Sequence, residues 1–171
     1  MATQSTNGNG FDADNASLVE LVDHIEDHYH SALRFDLGVL HVLADLCVEA
    51  APDSLDLVWI KEHLAIFAED VWAHLKGEER GIFRLIRGEG PESRLQSVLD
   101  VDHNHDQLGA QVAELAEAVA SHEPAPVYAD PWGRLVDKLR AVVRDFTEHS
   151  RIENDILFPR AVRAGLVKEH P

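Results

Sequence analysis

His74-Leu-Lys-Gly-Glu78 and His149-Ser-Arg-Ile-Glu153 are the two stretches on which the reading of this chain turns. Each sets a histidine and a carboxylate four residues apart. On a helix that spacing puts both side chains on one face, one turn apart. Each stretch is followed at the same offset by an apolar pair, Ile82-Phe83 after the first and Leu157-Phe158 after the second. With 11 His and 31 acidic residues in the chain, one such pair arises easily by chance. Two in matching context point to two helices offering the same grip.

The surrounding composition suits a single domain. The chain has 171 residues, 45% of them hydrophobic, enough to bury a sizeable core. Cys47 is the single cysteine, which excludes an internal disulfide framework and any CxxC site. No apolar run approaches the roughly 20 residues needed to cross a bilayer. The opening MATQSTNGNGFDADN lacks the basic start and apolar stretch of a signal peptide, so a cytoplasmic location is expected. The net charge of −16 repels phosphate backbones and anionic lipids and favours cations. Neither nucleic acid nor a membrane is an expected partner.

Turn signals fall at Ala51-Pro52-Asp53, at Gly88-Glu89-Gly90-Pro91, and between Ser121 and Pro131. They divide the chain into four helical segments at about 16–50, 54–87, 92–120 and 131–165. Asp53 or Ser54 suits the cap of the second, and Pro91 the first turn of the third. Each segment carries an apolar stripe stepping by 3 and 4. In chain order the stripes are His30, Leu33, Leu37, Leu40, Ala44, Cys47; Leu57, Ile60, Leu64, Phe67, Val71, His74, Glu78; Val98, Val101, His105, Leu108, Val112, Leu115, Val119; and Leu135, Leu139, Val142, Phe146, His149, Glu153, Ile156. This is the seam of an all-α, antiparallel, up-down-up-down four-helix bundle. Residues 15–166 are expected to form it, with 1–14 as a flexible N-terminal tail and 167–171 as a C-terminal tail.

The seam is polar at four places, and the four places coincide in height. In an antiparallel hairpin, residues equidistant from the turn lie level. His30 and His74 each lie 22 residues from Pro52. His74 and His105 each lie 15.5 from the turn between Glu89 and Gly90. His105 and His149 lie 20.5 and 23.5 from the loop at Ala125-Pro126, a mismatch of about 4.5 Å. Four imidazoles and the carboxylates Glu78 and Glu153 therefore share one layer. Burying them unpaired costs several kcal/mol. Imidazole and carboxylate suit iron, manganese or zinc, and carboxylates between helices can bridge two ions. The alternative is a polar layer satisfied without metal.

The chain resembles the hemerythrin-like (HHE cation-binding) domains, closest to the hemerythrin-like part of di-iron proteins that repair iron–sulfur clusters. The likeness rests on Leu21-Val-Asp-His-Ile-Glu-Asp-His-Tyr-His30, His74-Leu-Lys-Gly-Glu-Glu79, Asp102-His-Asn-His-Asp106 and Glu148-His-Ser-Arg-Ile-Glu-Asn-Asp-Ile-Leu-Phe-Pro-Arg-Ala161. It implies iron ligands at His30, His74, His105 and His149, with Glu78 and Glu153 as bridging carboxylates. His24 competes with His30 for the first helix. Two non-haem irons are implied, or one, with O2 or NO as the small ligand. Binding or sensing of these gases follows, in stress response or cluster repair. A di-iron enzyme of peroxidase or NO-reductase type and a metal-buffering or regulatory module are the alternatives. A monomer or a homodimer fits equally.

The repair proteins carry a histidine after the first helix, where this chain has Ala51, and true hemerythrins a second histidine one turn from the third-helix ligand, where this chain has Val101 and Gly109, so one histidine ligand is missing; Glu26 is either a substitute ligand or a solvated acid. The repair proteins also carry an N-terminal cysteine-containing domain, whereas no Cys precedes Asn15. His41 and His63 form a second level pair about three turns away, expected to be exposed or hydrogen-bonded. His28, His103, His122 and His170 read as surface residues. Asp70 and Asp145 are candidates to orient imidazoles. Trp59, Trp72, Phe83 and Phe158 read as core, the two phenylalanines shielding the metals.

Overall fold

The structure, a computed structural model, describes the backbone of residues 11–89 and 98–166 and the side chains of 11–89 and 104–166. Gly90, Pro91, the expected start of the third helix at 92, and the side chains of Val98, Val101, His103 and His170 lie outside them.

Four rods make the bundle. The first runs through α1 (Leu18–His24), a π-helical turn (Ile25–His30) and α2 (Ser31–Ala50). Ser17 opens it with a capping box: its Oγ accepts from the Glu20 N–H, and the Glu20 carboxylate accepts from the Ser17 N–H. The second is α3 (Leu55–Arg80), capped by Ser54, followed by the short α4 (Ile82–Ile86). The third is α5 (Val98–Ser121). A 3₁₀ turn (Pro126–Tyr128) leads into the fourth: α6 (Ala129–Ile152), a second π-helical turn (Glu153–Leu157) and α7 (Phe158–Arg163).

Three boundaries differ from the sequence reading. The segment expected to run unbroken over 54–87 is interrupted at Gly81, whose φ of −104° and ψ of −100° leave the helical region. The fourth rod starts at Ala129 instead of 131, because Pro131 sits in its first turn, where a missing N–H leaves no bond unmade. Residues 11–14, expected in the tail, pack on the bundle. Phe11 stacks on His24 with ring centroids 3.8 Å apart, Ala13 is buried, and Arg160 donates to the carbonyls of Ala13 and Ala16. Gly88 ends α4 with φ of +73°, a left-handed conformation that glycine adopts without a Cβ penalty, and Glu89 N–H closes the turn on Arg84 O.

α2 packs against α3 and α6, and α5 against the same two, so the rods form a square of neighbours. Every seam position named above that lies among the described side chains is buried, except Ile156. The π turn explains that exception. It adds a residue to one turn, so the buried face passes from Glu153 to Leu157 and Phe158. Pro159 follows at once and could not have donated to Asp155 in a regular helix, which makes the wider turn inexpensive there.

The core falls into two apolar clusters. One fills the long half of the bundle, from Leu33 to Cys47 on α2, Leu57 to Leu75 on α3, Leu108 to Val119 on α5 and Trp132 to Phe146 on α6. The other joins Leu21, Val22, Ile25 and Tyr29 to Ile82, Phe83, Ile86, Leu157, Phe158 and Ala161. The histidine and carboxylate layer lies between them. Trp72, expected in the core, is 47% exposed; it stands one residue past Val71, about 100° round the helix and off the seam.

Phe67 is 1% exposed and meets Phe146 edge-on, whereas Phe35 is 71% exposed on the outer face of α2. Phe67→Ala is expected to cost about 3–5 kcal/mol in chemical denaturation. Phe35→Ala should stay within about 0.5 kcal/mol of the wild type.

Candidate metal centre

The height count places four imidazoles from four rods in one layer, and the structure brings them together. Ring centroids are 4.7 Å apart for His74 and His105, 5.4 Å for His30 and His149, and 5.6 Å for His105 and His149. Among the described residues, two overlapping sets offer ligand atoms that lie within 4.8 Å of one another. One is His74, His105, His149 and Glu153; the other is His30, Glu78, His149 and Glu153. All six expected site residues belong to one or both, and all six are buried.

The carboxylates divide their oxygens between two sides. Glu78 Oε1 lies 3.5 Å from His74 Nε2 and 3.6 Å from His105 Nε2, while its Oε2 lies 3.5 Å from His30 Nε2. Glu153 Oε2 lies 3.1 Å from both His105 Nε2 and His149 Nε2, while its Oε1 lies 3.8 Å from His30 Nε2. Each carboxylate therefore spans the gap between a His30 side and a His74–His105 side.

These short separations are not hydrogen bonds. The Nε2 atoms of all four histidines, His149 Nδ1, and both oxygens of Glu78 and of Glu153 are buried without a hydrogen-bond partner. These atoms converge on shared points, and in the metal-free layer charge, not a well-directed hydrogen bond, holds His30 and His105 beside the carboxylates. Donors adjacent on an ion at about 2.1 Å lie about 3.0 Å apart in octahedral and about 3.4 Å apart in tetrahedral geometry, close to the contacts of 3.1 to 3.6 Å here. The residues fit a transition-metal ion by donor type, by spacing and by lacking any other partner.

Two outer contacts fix the imidazoles. His30 Nδ1 lies 2.9 Å from Glu79 Oε1, which also accepts from Arg34 at 2.7 Å. His105 Nδ1 lies 3.1 Å from Asn154 Oδ1. Donation from Nδ1 leaves Nε2 as the lone-pair face turned inward. Glu79 and Asn154 each follow one of the layer's carboxylates, Glu78 and Glu153, about 100° round the helix, where the neighbouring rod passes. The sequence reading assigned this role to Asp70 and Asp145 instead. Asp70 is exposed and accepts from Gln111, and Asp145 lies against Arg144. The signal for Glu79 and Asn154 was available in the parallel spellings His-x-x-x-Glu-Glu and His-x-x-x-Glu-Asn.

The remaining candidates fall elsewhere. His24 stacks between Phe11 and His28, outside the layer. Glu26 pairs with Arg87, because the first π turn brings Ile25 into the seam and carries Glu26 away from it. His41 is exposed beside Asp45, and His63 bonds the Trp59 carbonyl while stacking on its ring. His122, read as a surface residue, is largely enclosed: it bonds Tyr128 Oη at 2.9 Å and packs on Trp132. Phe83 stacks on His30 and Phe158 on His105, as expected of shielding residues.

Burial and mutual charge set the protonation of the metal-free layer. Burial opposes a charge on His30 and His105, but the carboxylates around them outweigh it and lift their pKa values to about 9 and about 10. Burial and the neighbouring His105 press His74 down to about 3, and burial lowers His149. Burial and the charge of Glu153 push Glu78 up to about 7. Burial also opposes ionisation of Glu153, yet His149, His105 and His30 hold it well below the usual range. Protons and carboxylates thus occupy the layer together.

Comparison with known proteins agrees with this chemistry. The chain is 27% identical over 149 residues to the iron-sulfur cluster repair protein YtfE of Escherichia coli O81 (strain ED1a), covering 86% of this chain and 67% of that protein. Identity is 26% over the same spans to the proteins of that name from Escherichia coli O1:K1 / APEC and Escherichia fergusonii. A family model described as the hemerythrin HHE cation binding domain matches residues 21–161, from the first buried residue of α1 to the last buried residue of the fourth rod. The chain belongs to the hemerythrin HHE cation-binding domain family.

Proposed function

We propose that this layer is a non-haem di-iron centre that binds O2 or NO and serves in the response to oxidative or nitrosative stress. The observation that carries the reading is the split of each carboxylate between two sides, which suits bridging of two ions. One position takes His74 and His105 with one oxygen from each carboxylate, and the other takes His30 with the remaining two oxygens. His149 lies within reach of both. Even with His149 the His30 side has at most four protein donors, which leaves coordination positions there for a small exogenous ligand. Ferrous iron, when bound, supplies one-electron chemistry and an affinity for small diatomic ligands.

The chain's own residues supply the rest. Glu79 and Asn154 hold His30 and His105 in the tautomer that presents Nε2. Phe83 covers His30 and Phe158 and Phe146 cover His105 with apolar rings that keep water from those faces of the layer. Among the described residues no helix is long and apolar enough to cross a membrane. A second reading, participation in iron–sulfur cluster repair, is supported by the likeness to proteins of that name across 86% of the chain.

Anaerobic titration of metal-free protein with Fe(II) should show two ions bound per chain, the first more tightly than the second. His149→Ala should lose the tight ion, His30→Ala only the weak one, and His41→Ala neither. Retention of both ions by His149→Ala would overturn the assignment. Exposure of the loaded protein to O2 or NO should change its visible absorption, and an unchanged spectrum with both gases would refute the ligand reading.

The pH dependence of the metal-free fold follows from the shifted groups. His30 and His105 have raised values, so their stabilisation is complete below the unfolded value of about 6.5 and disappears as pH rises through about 9–10. His74 is depressed, so its contribution is present above about 6.5 and lost as pH falls toward 3. Thermal denaturation of metal-free protein should therefore give a Tm that peaks near neutral pH and falls on both sides. The loaded protein should lose the alkaline fall, since its ligands carry no protons there.

A further inference from the structure

One side of the layer is sealed and the other is open to a cavity. His30, His149 and Glu153 are fully enclosed, whereas a cavity of about 330 Å³ between α3 and α5 reaches His74 and Glu78. Asp70, Gln107 and Gln111 line its outer part, and Ala73 and Gly77 line its α3 wall. Among the described residues, no lysine or arginine lines it. At about 30 Å³ per water the space holds about ten waters, more than the six that surround a hydrated divalent ion. A diatomic gas needs far less room and no acidic lining.

We propose that this cavity is the port through which a hydrated divalent cation reaches the centre. It rests on the di-metal reading above and adds a route to it. Asp70, exposed at the outer end and braced by the Gln111 amide at 2.8 Å, supplies a local negative charge. The chain's net charge of −16 concentrates cations around it. Inside, the cavity ends against Glu78, whose two carboxylate oxygens lie buried just behind its wall with no hydrogen-bond partner and receive the ion once it has passed the surface. His74 lies beside it and completes the inner end. Waters leave the ion as carboxylate and imidazole replace them. Small residues at 73 and 77, one turn apart on α3, keep the way clear; a Cβ built at Gly77 meets nothing within 4 Å.

The test separates rate from capacity. Metal-free protein is mixed with Co(II), and the growth of visible absorption is followed by stopped flow while the final ion count is measured at equilibrium. Gly77→Leu puts bulk into the cavity; Gly38→Leu adds the same bulk to the outer face of α2, where a Cβ also meets open space. Gly77→Leu should load at least about tenfold more slowly than the wild type and reach the same final count, with Gly38→Leu unchanged. Ala73→Leu blocks the same wall and should also load slowly, which guards against a local disturbance at Gly77. Asp70→Asn should slow loading about two- to fivefold at low salt, and the effect should shrink at high salt as the charge is screened. Wild-type loading rates in both Gly77→Leu and Ala73→Leu would overturn the port and leave the metal centre standing. Failure of the wild type itself to bind metal would overturn the di-metal reading and the port with it.

Discussion

The fold is organised by the cost of hiding two carboxylates and four imidazoles between two apolar clusters. Nine of their nitrogen and oxygen atoms are buried without a hydrogen-bond partner. Each such atom left unpaired costs about 1–3 kcal/mol. Charge and protons relieve part of it, since His30 and His105 are held protonated against Glu78 and Glu153. A divalent ion relieves more, because it satisfies nitrogen and oxygen lone pairs together. Metal binding and folding are thereby coupled: whatever stabilises the layer also holds the two apolar halves of the bundle in register.

The bundle was legible in the sequence because its seam obeys one rule over most of its length. Stepping by 3 and 4 from Leu57 to Glu78 and from Leu135 to Glu153 names buried residues at every step. Counting from the turns placed four histidines in one layer, since antiparallel rods of constant rise turn sequence distance into height. The method fails where the rise or the phase changes. Ile156 left the seam because the π turn inserts a residue, and Glu26 was a false candidate ligand for the same reason on the first rod. Glu79, Asn154 and the enclosure of His122 depend on which side chain the neighbouring rod presents. A stripe read along one helix carries no such information.

Both π turns sit against the polar layer, one ending at His30 and the other beginning at Glu153. Each is closed by a backbone bond spanning five residues, Ser31 N–H to Glu26 O and Phe158 N–H to Glu153 O. The Ser31 hydroxyl adds a second donor to Glu26 O. The wider turns let one rod satisfy two demands. On the long side of the layer the seam follows the phase needed by the main core. On the short side it is rotated so that Ile25, Leu157 and Phe158 face the second cluster. A uniform helix through the same ligands would leave one of the two clusters facing water.

The second and fourth rods repeat one device. Each carries a histidine, a carboxylate four residues on, and an acceptor next to it that reaches the neighbouring rod's histidine. The repetition is imperfect, and the imperfection has a direction. Asn154 is neutral where Glu79 is charged and tied to Arg34, so His30 is held by an ionised partner and His105 by an amide. A charged acceptor raises the basicity of its imidazole more than an amide does. The two imidazoles are therefore anchored by acceptors of different charge, and the two sides of the layer differ in what holds them from outside.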